Sequence, residues 1–240
     1  QSLKKNLKYF VDLSTYHKIW KKEIFLMNLI IFDLDETLIN VDSDVEWGRY
    51  LIDKNLVDPH EWESKNEKFY WQYKNGQLDI NEYLIFSCEP LKNNNLELLK
   101  RHRDAFINER IKPNILKKGQ QLIEKHRSEG DELLIITATI EFITKPIVSL
   151  MGIEQIIAPI PEFLNGGYTG KTVGTPSFRE GKLLRLHQWL KKNNKTFDGM
   201  TFYSDSHNDL PLLSAVTKPI AVDPDPILLR ESKKKELGSY

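Results

Sequence analysis

Five short apolar segments, each bounded by polar or turn residues, constrain the fold of this 240-residue chain more than any other feature. They lie at residues 29–33, 133–137, 155–158, 200–204 and 219–222. Helical patterns separate them, and strands that are apolar throughout are typical of parallel sheets covered by helices on both faces. The sequence therefore predicts an α/β fold with a doubly wound parallel sheet.

The first of these segments ends in acidic residues. Asp33 and Asp35 follow the apolar run 30–32, and a hydroxyl follows them at Thr37. Two carboxylates this close repel each other unless a cation neutralises them, and a hard divalent cation such as Mg2+ prefers oxygen ligands. A carboxylate is also a competent nucleophile in phosphoryl transfer. The segment indicates metal-assisted chemistry on a phosphate, although acids after a strand are also common in turns and helix caps.

Three later segments supply the other groups that such chemistry needs. Thr137 ends the second apolar segment, Lys182 opens a helical pattern, and Asp205 follows another apolar segment with Asp209 four residues later. In open α/β sheets, ligands bind beyond the carboxyl ends of the strands. We therefore expect Asp33, Thr137 and Asp205 to lie together at that edge of the sheet.

These four segments together resemble the haloacid dehalogenase superfamily of phosphatases. Its motifs are Asp-x-Asp-x-Thr, a Ser or Thr after a strand, a Lys, and a paired-Asp motif, and all four occur here in that order. The phosphoserine-phosphatase-like branch, with a helical cap between the first two motifs, is the most similar. The resemblance implies a Mg2+-dependent phosphomonoesterase that acts on a small phosphorylated metabolite through an aspartyl phosphate. Glu36 departs from the Gly or Ser common in relatives.

The resemblance also implies roles for the residues of the motifs. Asp33 would be the nucleophile, and Asp35 would protonate the leaving alcohol and then take a proton from the attacking water. The Asp33 carboxylate, the Asp35 backbone carbonyl and Asp205 would hold Mg2+. Thr137 would donate a hydrogen bond to the phosphoryl group, and Lys182 would add positive charge beside it.

Other polar residues near the motifs are further candidates. Asp209 would hold Lys182 or a metal-bound water, and Asn208 would assist phosphate binding or metal hydration. Asp42 lies where related enzymes place an acid that meets a substrate amine, but it could equally cap the first helix of the insertion. We interpret His207 as a loop residue, because no second His or Cys lies near it in the sequence.

The insertion between the first two motifs is predicted to be a helical cap. Acid- or hydroxyl-led helix starts of the capping-box type occur at Ser43, Asp58 and Asp79. The expected domains are a core of residues 27–42 and 113–240, a cap of residues 43–112, and an N-terminal extension of residues 1–26. An amphipathic helix packed on the core is the alternative for that extension.

Composition narrows the expected partners. The 34 basic and 34 acidic residues cancel, so charge gives no case for nucleic acid or an anionic membrane. The sequence contains no run of about 18 or more apolar residues, so it predicts no membrane-spanning helix. The single cysteine, Cys88, suits a reducing cytoplasm. We expect a cytoplasmic enzyme whose partner is a small phosphomonoester, and the sequence gives no indication of its oligomeric state.

Three other functions are alternatives to a phosphomonoesterase. A phosphoaspartate receiver carries its acceptor on a middle strand, so Asp33 on the first strand argues against it. A non-catalytic sensor of phosphorylated ligands and a phosphotransferase of the same family stay open. Relatives act on phosphoserine, phosphoethanolamine, phosphocholine or histidinol phosphate, and Asp42 together with the size of the cap favours a small, amine-bearing substrate.

Overall fold

The protein is seen here in a computed structural model that describes residues 27–235 and 238–239. The predicted extension at residues 1–26 therefore lies outside the described residues. The strands are β1 (Leu29–Phe32), β2 (Glu132–Ile136), β3 (Gln155–Ile157), β4 (Ile160–Leu164), β5 (Gly167–Val173), β6 (Met200–Ser204), β7 (Lys218–Ala221) and β8 (Gly238–Ser239). Six of them form one sheet in the order β3-β2-β1-β6-β7-β8, and every pairing in it is parallel.

Helices cover both faces of this sheet. They are α1 (Ser43–Asp53), α2 (Pro59–Lys74), α3 (Ile80–Asn93), α4 (Leu96–Phe106), α5 (Lys117–Ser128), α6 (Glu141–Leu150), α7 (Glu180–Lys192), α8 (Leu210–Leu213) and α9 (Pro226–Lys235). Along β1, Ile30 and Phe32 join one buried apolar cluster, whereas Leu29 and Ile31 join another. Since alternate residues of a strand face opposite sides, both faces are buried, and the predicted α/β class is confirmed.

The order of the strands brings the predicted site residues to one edge. β1 pairs with β2 on one side and with β6 on the other. Asp33, Thr137 and Asp205 each follow directly after one of these three strands. Because parallel strands end at the same edge, the polar residues that follow them become neighbours. This edge is where the order of the strands reverses around β1.

Five α-helices lie between β1 and β2 in the chain, and the fourth is followed by a π-helical turn and a short 3-10 turn (Ile107–Ile111 and Lys112–Asn114) that lead to the fifth. Asp58 and Asp79 cap α2 and α3, as predicted. The first helix is capped by Asp42 and not by Ser43. The fourth helix, capped by Asn95, was not predicted. Asn95 ends a run of three asparagines before the helix, and such a run is as typical of a loop as of a helix cap.

The hairpin predicted around Gly166 is present as the antiparallel pair β4–β5. Its two turn residues, Asn165 and Gly166, both have positive φ, as a type I′ turn requires. The hairpin packs against α3, where a Cβ at Gly170 would lie 3.1 Å from the Lys92 side chain. The hairpin thus connects the inserted helices to the rest of the molecule. Among the residues described, no helix has the length and apolar character needed to cross a bilayer.

Candidate active site

A buried ion-pair cluster lies at the carboxyl edge of the sheet. Lys182 Nζ donates to Asp33 Oδ1 and to Asp209 Oδ2, each at 2.8 Å. The three residues are 3%, 6% and 2% exposed, respectively. Burial opposes the charged form of Lys182, but the carboxylates of Asp209 and Asp33 hold its pKa above the usual range. Lys182 is therefore a fixed cation beside Asp33.

The first turn of α7 places this lysine. Gly181, directly before Lys182, packs so tightly that a Cβ there would lie 2.0 Å from the backbone oxygen of Pro176. Only glycine permits such an approach. Asp209 precedes α8, but its carboxylate makes no capping hydrogen bond to that helix. It instead accepts hydrogen bonds from Lys182 and, at 2.7 Å, from Ser204 Oγ.

A threonine of the first motif joins the loops after β1 and β6. Thr37 Oγ1 donates to Asp205 Oδ1 and accepts from the Asp205 backbone N–H, both at 3.2 Å. Thr37 was not predicted to be a site residue, although its place in the first motif was the available signal. Ser204, which anchors Asp209, was also missed, and its only signal is that it ends a strand.

Asp35 is held by the loop after β2 and by the start of α1. Its Oδ1 accepts the Ser43 N–H at 2.8 Å, and its Oδ2 accepts the Thr139 hydroxyl at 2.9 Å. Thr137 Oγ1 lies 3.5 Å from the same Oδ2 and accepts the Thr139 N–H at 3.2 Å. The structure thus brings Thr137 to the site, and it adds Thr139, two residues further on, which sequence reasoning had missed.

The acids of this cluster crowd one another in a buried region. Burial raises the pKa of Asp33 to about 6 and that of Asp35 to about 8. Burial, reinforced by the charge of Asp33, raises the pKa of Asp205 well above its usual range. Among the residues that the structure describes, Lys182 is the single cation bonded within the cluster, so negative charge remains uncompensated. Oxygen ligands with excess negative charge fit a hard divalent cation such as Mg2+.

The predicted Mg2+ ligands are two side-chain carboxylates and one backbone carbonyl. They therefore differ from a metal site that is built from three ligating side chains. Among the described residues, only His126, Glu129 and Asp131 bring three such side chains within 4.8 Å of one another. Both ring nitrogens of His126 already bond there, to Asp131 at 2.8 Å and to Tyr203 at 3.1 Å. Asp131 also bonds to Asn28, before β1, so this group lies at the opposite edge of the sheet.

The remaining predicted residues are placed as follows. Asp42 Oδ1 accepts hydrogen bonds from the backbone N–H groups of Asp44 and Val45, at 3.0 Å each, so Asp42 caps α1. Burial raises its pKa to about 6. Asn208 contacts Arg179 and the backbone oxygen of Tyr73, and no substrate role for it is visible from these contacts.

His207 is a loop residue, as interpreted from the sequence. It lies in a short 3-10 turn (His207–Asp209). Its Nδ1 lies 2.8 Å from Asp225 Oδ2, and its backbone N–H donates to the same oxygen at 2.6 Å. Its ring therefore positions the loop that carries Asp205 and Asp209.

A pocket opens above the cluster. Its floor includes Asp33, Asp35, Thr137 and Lys182. The remaining lining that matters to recognition is acidic or aromatic: Asp42, Asp44, Phe69, Tyr70, Tyr73, Tyr83 and Phe178. Lys182 is the only cationic residue among the described residues that line it. A ligand here meets positive charge only at the floor.

Asp44, on α1, is a buried acid in the wall of this pocket. Its Oδ2 accepts the hydroxyl of Tyr83 and, at 2.8 Å, that of Ser87. Burial raises its pKa. These three residues come from α1 and α3, and no motif marks them, so sequence reasoning could not select them.

Comparison with known proteins places the chain in a family. The model of the haloacid dehalogenase-like hydrolases matches residues 30–214. A histidinol-phosphatase of Neisseria meningitidis serogroup C (strain 8013) is 49% identical over 214 residues, which cover 88% of this chain and 96% of that protein. The chain therefore belongs to the haloacid dehalogenase-like hydrolase family, and it is a phosphatase of that family.

Solved structures agree with this fold. A protein of unknown function from Bordetella pertussis Tohama I has a TM-score of 0.84 and 35% identity, covering 89% of this chain and 97% of its own. A phosphoserine phosphatase, solved as an analogue of its phospho-aspartyl intermediate, has a TM-score of 0.64 and 20% identity, covering 87% and 98%. At that identity the second likeness concerns the fold alone.

Proposed function

We propose that this protein is a Mg2+-dependent phosphomonoesterase that forms an aspartyl phosphate on Asp33. The observation that carries the proposal is the buried contact of Lys182 with Asp33 and Asp209 at the end of the central strand. A phosphoserine phosphatase of the same fold was solved as an analogue of a phospho-aspartyl intermediate. Asp33 would attack the phosphorus in line, and the alcohol would leave from the opposite side.

The neighbours of Asp33 suit this step. Lys182 fixes the orientation of the carboxylate, and its charge lies where the phosphoryl oxygens would gather negative charge. Thr137 would donate its hydroxyl to one of these oxygens once substrate is bound. Asp35, held by Ser43 N–H and Thr139, would protonate the leaving alcohol and then take a proton from the hydrolytic water.

The Asp33 carboxylate, the Asp35 carbonyl oxygen and Asp205 would hold Mg2+. When bound, the cation would neutralise the nucleophile and the phosphate together. Thr37 fixes Asp205 from the first motif, so the proposed ligands after β1 and β6 are kept in register. The excess of acids over cations in this cluster supports the proposal.

We further propose that residues 43–112 act as a cap over a core of residues 27–42 and 113–240. Their helices supply the acidic and aromatic wall of the pocket. Closing that wall over the strand ends would exclude bulk water while the phosphoenzyme forms. The buried Cys88 is the single cysteine of the chain, which suits the reducing cytoplasm, where we propose that the enzyme acts.

The lining of the pocket favours an amine-bearing substrate without a carboxylate. Asp42 and Asp44 would attract an ammonium group, and aromatic side chains would contact an apolar or aromatic moiety. A substrate carboxylate would meet these acids with no cation to pair with it, because Lys182 is engaged at the floor. We therefore propose an amino-alcohol phosphate such as histidinol phosphate, the compound named for the Neisseria relative.

Phosphate release from a panel of phosphomonoesters tests this proposal. The panel contains histidinol phosphate, phosphoethanolamine and phosphoserine, each with Mg2+ or with EDTA. We expect Mg2+-dependent release, fastest with histidinol phosphate, and loss of about a thousandfold or more in Asp33→Asn. The matched control is Asp53→Asn, since Asp53 is an exposed acid paired with Arg110.

Each other result of this assay contradicts a different part of the proposal. Turnover that survives in Asp33→Asn would disprove the aspartyl phosphate. A preference for phosphoserine would disprove the proposed substrate class and leave the chemistry intact. Phosphate transfer to an added alcohol without hydrolysis would indicate a phosphotransferase. Binding of Mg2+ and phosphate without either reaction would indicate a sensor.

A further inference from the structure

Arg179 has a backbone conformation that L-residues rarely adopt. Its φ is 50° and its ψ is −123°, and it directly precedes α7, the helix that carries Lys182. Such a conformation is strained and persists only where surrounding contacts enforce it. Its backbone does not explain the choice of arginine, because glycine would adopt these angles without strain. The side chain must supply the reason.

The guanidinium group of Arg179 joins two parts of the molecule. Its Nη2 donates to the backbone oxygen of Gly76 at 2.6 Å, just beyond the end of α2. Its Nε donates to Asn208 Oδ1 at 3.1 Å, in the loop between Asp205 and Asp209. We call these three residues, Arg179, Gly76 and Asn208, the arginine latch.

The end of α2 is shaped to receive this arginine. Gly76 has a φ of +67°, and a Cβ there would lie 2.7 Å from Arg179 Nη2 and 3.3 Å from His207 Nε2. The same end of α2 makes two more bonds to the loop after β6. Asn208 Nδ2 donates to the Tyr73 backbone oxygen at 3.3 Å, and the Tyr73 hydroxyl donates to Ser206 Oγ at 3.2 Å.

The latch is distinct from the residues that line the pocket. Tyr73, Tyr70 and Phe69 on α2 form part of the pocket wall, whereas Arg179 and Gly76 are absent from the lining. Movement of α2 would therefore open the pocket and, at the same time, break the bond from Arg179 to Gly76 and the bond from Asn208 to Tyr73. Asn208 would lose its orientation in the same event, since Arg179 and α2 hold the two ends of its amide.

We propose that Arg179 is a positioning residue that couples closure of α2 over the pocket to the arrangement of the loop carrying Asp205 and Asp209. Closed, the latch fixes Asn208 within the loop between Asp205 and Asp209; open, it releases that loop and the pocket wall together. The expected change in kcat rests on the proposed phosphatase function. The expected change in the mobility of α2 does not depend on turnover.

Arg127 offers a closely matched control. Its Nη2 donates to the backbone oxygens of Met151 and Gly152, at 3.1 and 3.0 Å. Gly152 follows the end of α6 with a φ of +66°, and a Cβ there would lie 3.0 Å from that Nη2. Arg127 and Gly152 thus repeat the bond between an arginine and a glycine carbonyl, but they do not contact the pocket.

The test compares Arg179→Ala with Arg127→Ala by two measurements. The first is amide hydrogen exchange across residues 72–77 and 205–209, and the second is the hydrolysis of p-nitrophenyl phosphate with Mg2+. We expect Arg179→Ala to raise exchange in both segments about ten- to a hundredfold, as the loss of charged hydrogen bonds predicts. We expect kcat to fall by a similar factor with little change in KM. Arg127→Ala should change neither.

Gly76→Ala provides a second variant, with Gly152→Ala as its control. Both add the same Cβ at a positive φ beside an arginine, but only Gly76→Ala should lower kcat. If Arg179→Ala does not fold, Arg179→Lys is measured in the same way and should lose part of the effect, because an ammonium cannot reproduce both bonds of the guanidinium.

Equal exchange and equal kcat in the Arg179 and Arg127 variants would overturn the latch. The same would follow if Arg179→Ala lowered stability while leaving both segments as protected as in the wild type. A wild-type protein without turnover would disprove the phosphatase function instead. The exchange measurement would then still decide whether Arg179 holds α2 to the loop.

Discussion

The strand-end cluster and the inserted helices differ in how completely their buried polar groups are paired. Lys182 donates hydrogen bonds to both Asp33 and Asp209, and Thr37 donates one to Asp205. In the part of the chain that the structure describes, four buried side-chain polar atoms have no partner, and all four lie on α1 and α2, including Nε1 of Trp47 and of Trp62.

This difference in pairing indicates that the strand-end cluster and the inserted helices have different roles. An unpaired buried polar group costs about 1–3 kcal/mol, so α1 and α2 are less completely stabilised than the sheet edge. A cluster that carries out proton and phosphoryl transfer must keep its geometry, whereas a pocket wall that admits substrate must open. We therefore assign the chemistry to the strand ends and the selection of substrate to the cap, and the following predictions test that assignment.

The largest effect is expected from Lys182→Met. The change leaves Asp33 and Asp209 buried without their cation, which should destabilise the protein by about 3–5 kcal/mol. Turnover should fall as well, because Asp33 loses its orienting partner. Urea unfolding and phosphate release measure the two effects.

Lys195→Met is the control for this prediction. Lys195 pairs with Glu132 outside the site, and both side chains are partly exposed, so the change should cost less than about 1 kcal/mol. If the two variants were equally stable and equally active, the buried ion pairs would not be the centre of the site.

Removal of Mg2+ should have the next largest effect. The crowded carboxylates of Asp33, Asp35 and Asp205 repel one another, so a bound cation should stabilise the folded state by about 3 kcal/mol at a hundredfold excess over its Kd. Thermal unfolding with Mg2+ and with EDTA measures this effect. It should largely disappear in Asp205→Asn, and an unchanged melting temperature in the wild type would contradict the proposed metal site.

Asp44→Asn should produce a smaller effect that is confined to the cap. Asp44 would help to bind the substrate ammonium group, so its neutralisation should raise the KM for histidinol phosphate about tenfold, the equivalent of 1.4 kcal/mol. The hydrolysis of p-nitrophenyl phosphate, which carries no amine, should change by less than about twofold. An equal loss with both substrates would assign Asp44 to the stability of the cap and not to selection.

The smallest effect is expected from Lys74→Ala. Lys74 at the end of α2 pairs with Glu36 across a solvent-exposed gap, at 2.9 Å. Such pairs contribute about 0–1 kcal/mol, so stability and kinetics should stay close to those of the wild type. A loss comparable to that in Arg179→Ala would show that any bond between α2 and the sheet edge suffices, and would weaken the case for the latch.

The sequence predicted the sheet edge well because its signals are local. Asp33, Thr137 and Asp205 each directly follow an apolar strand, and the parallel order brings such positions together whatever the detailed packing. Lys182 required the resemblance to a family, because a lone lysine at a helix start is ordinarily a surface residue. The role of Thr37 was missed although its position lies within the first motif.

The contacts of the inserted helices were less predictable because they join segments that are distant in the sequence. Asp44 meets Tyr83 from another helix, and Arg179 reaches Gly76 over 103 positions of the chain. No periodicity or spacing in the sequence records such pairs. Helix starts at Asp58 and Asp79 were predicted since a cap depends on neighbouring residues alone.

The most direct test of the account is to trap the phosphoenzyme. The protein is mixed with histidinol phosphate and Mg2+, quenched with acid within the first turnover, digested and analysed by mass spectrometry. We expect one added phosphoryl group on the peptide that contains Asp33, and none in Asp33→Asn. Turnover by the wild type with no phosphorylated peptide, or with the phosphoryl group on another residue, would contradict it.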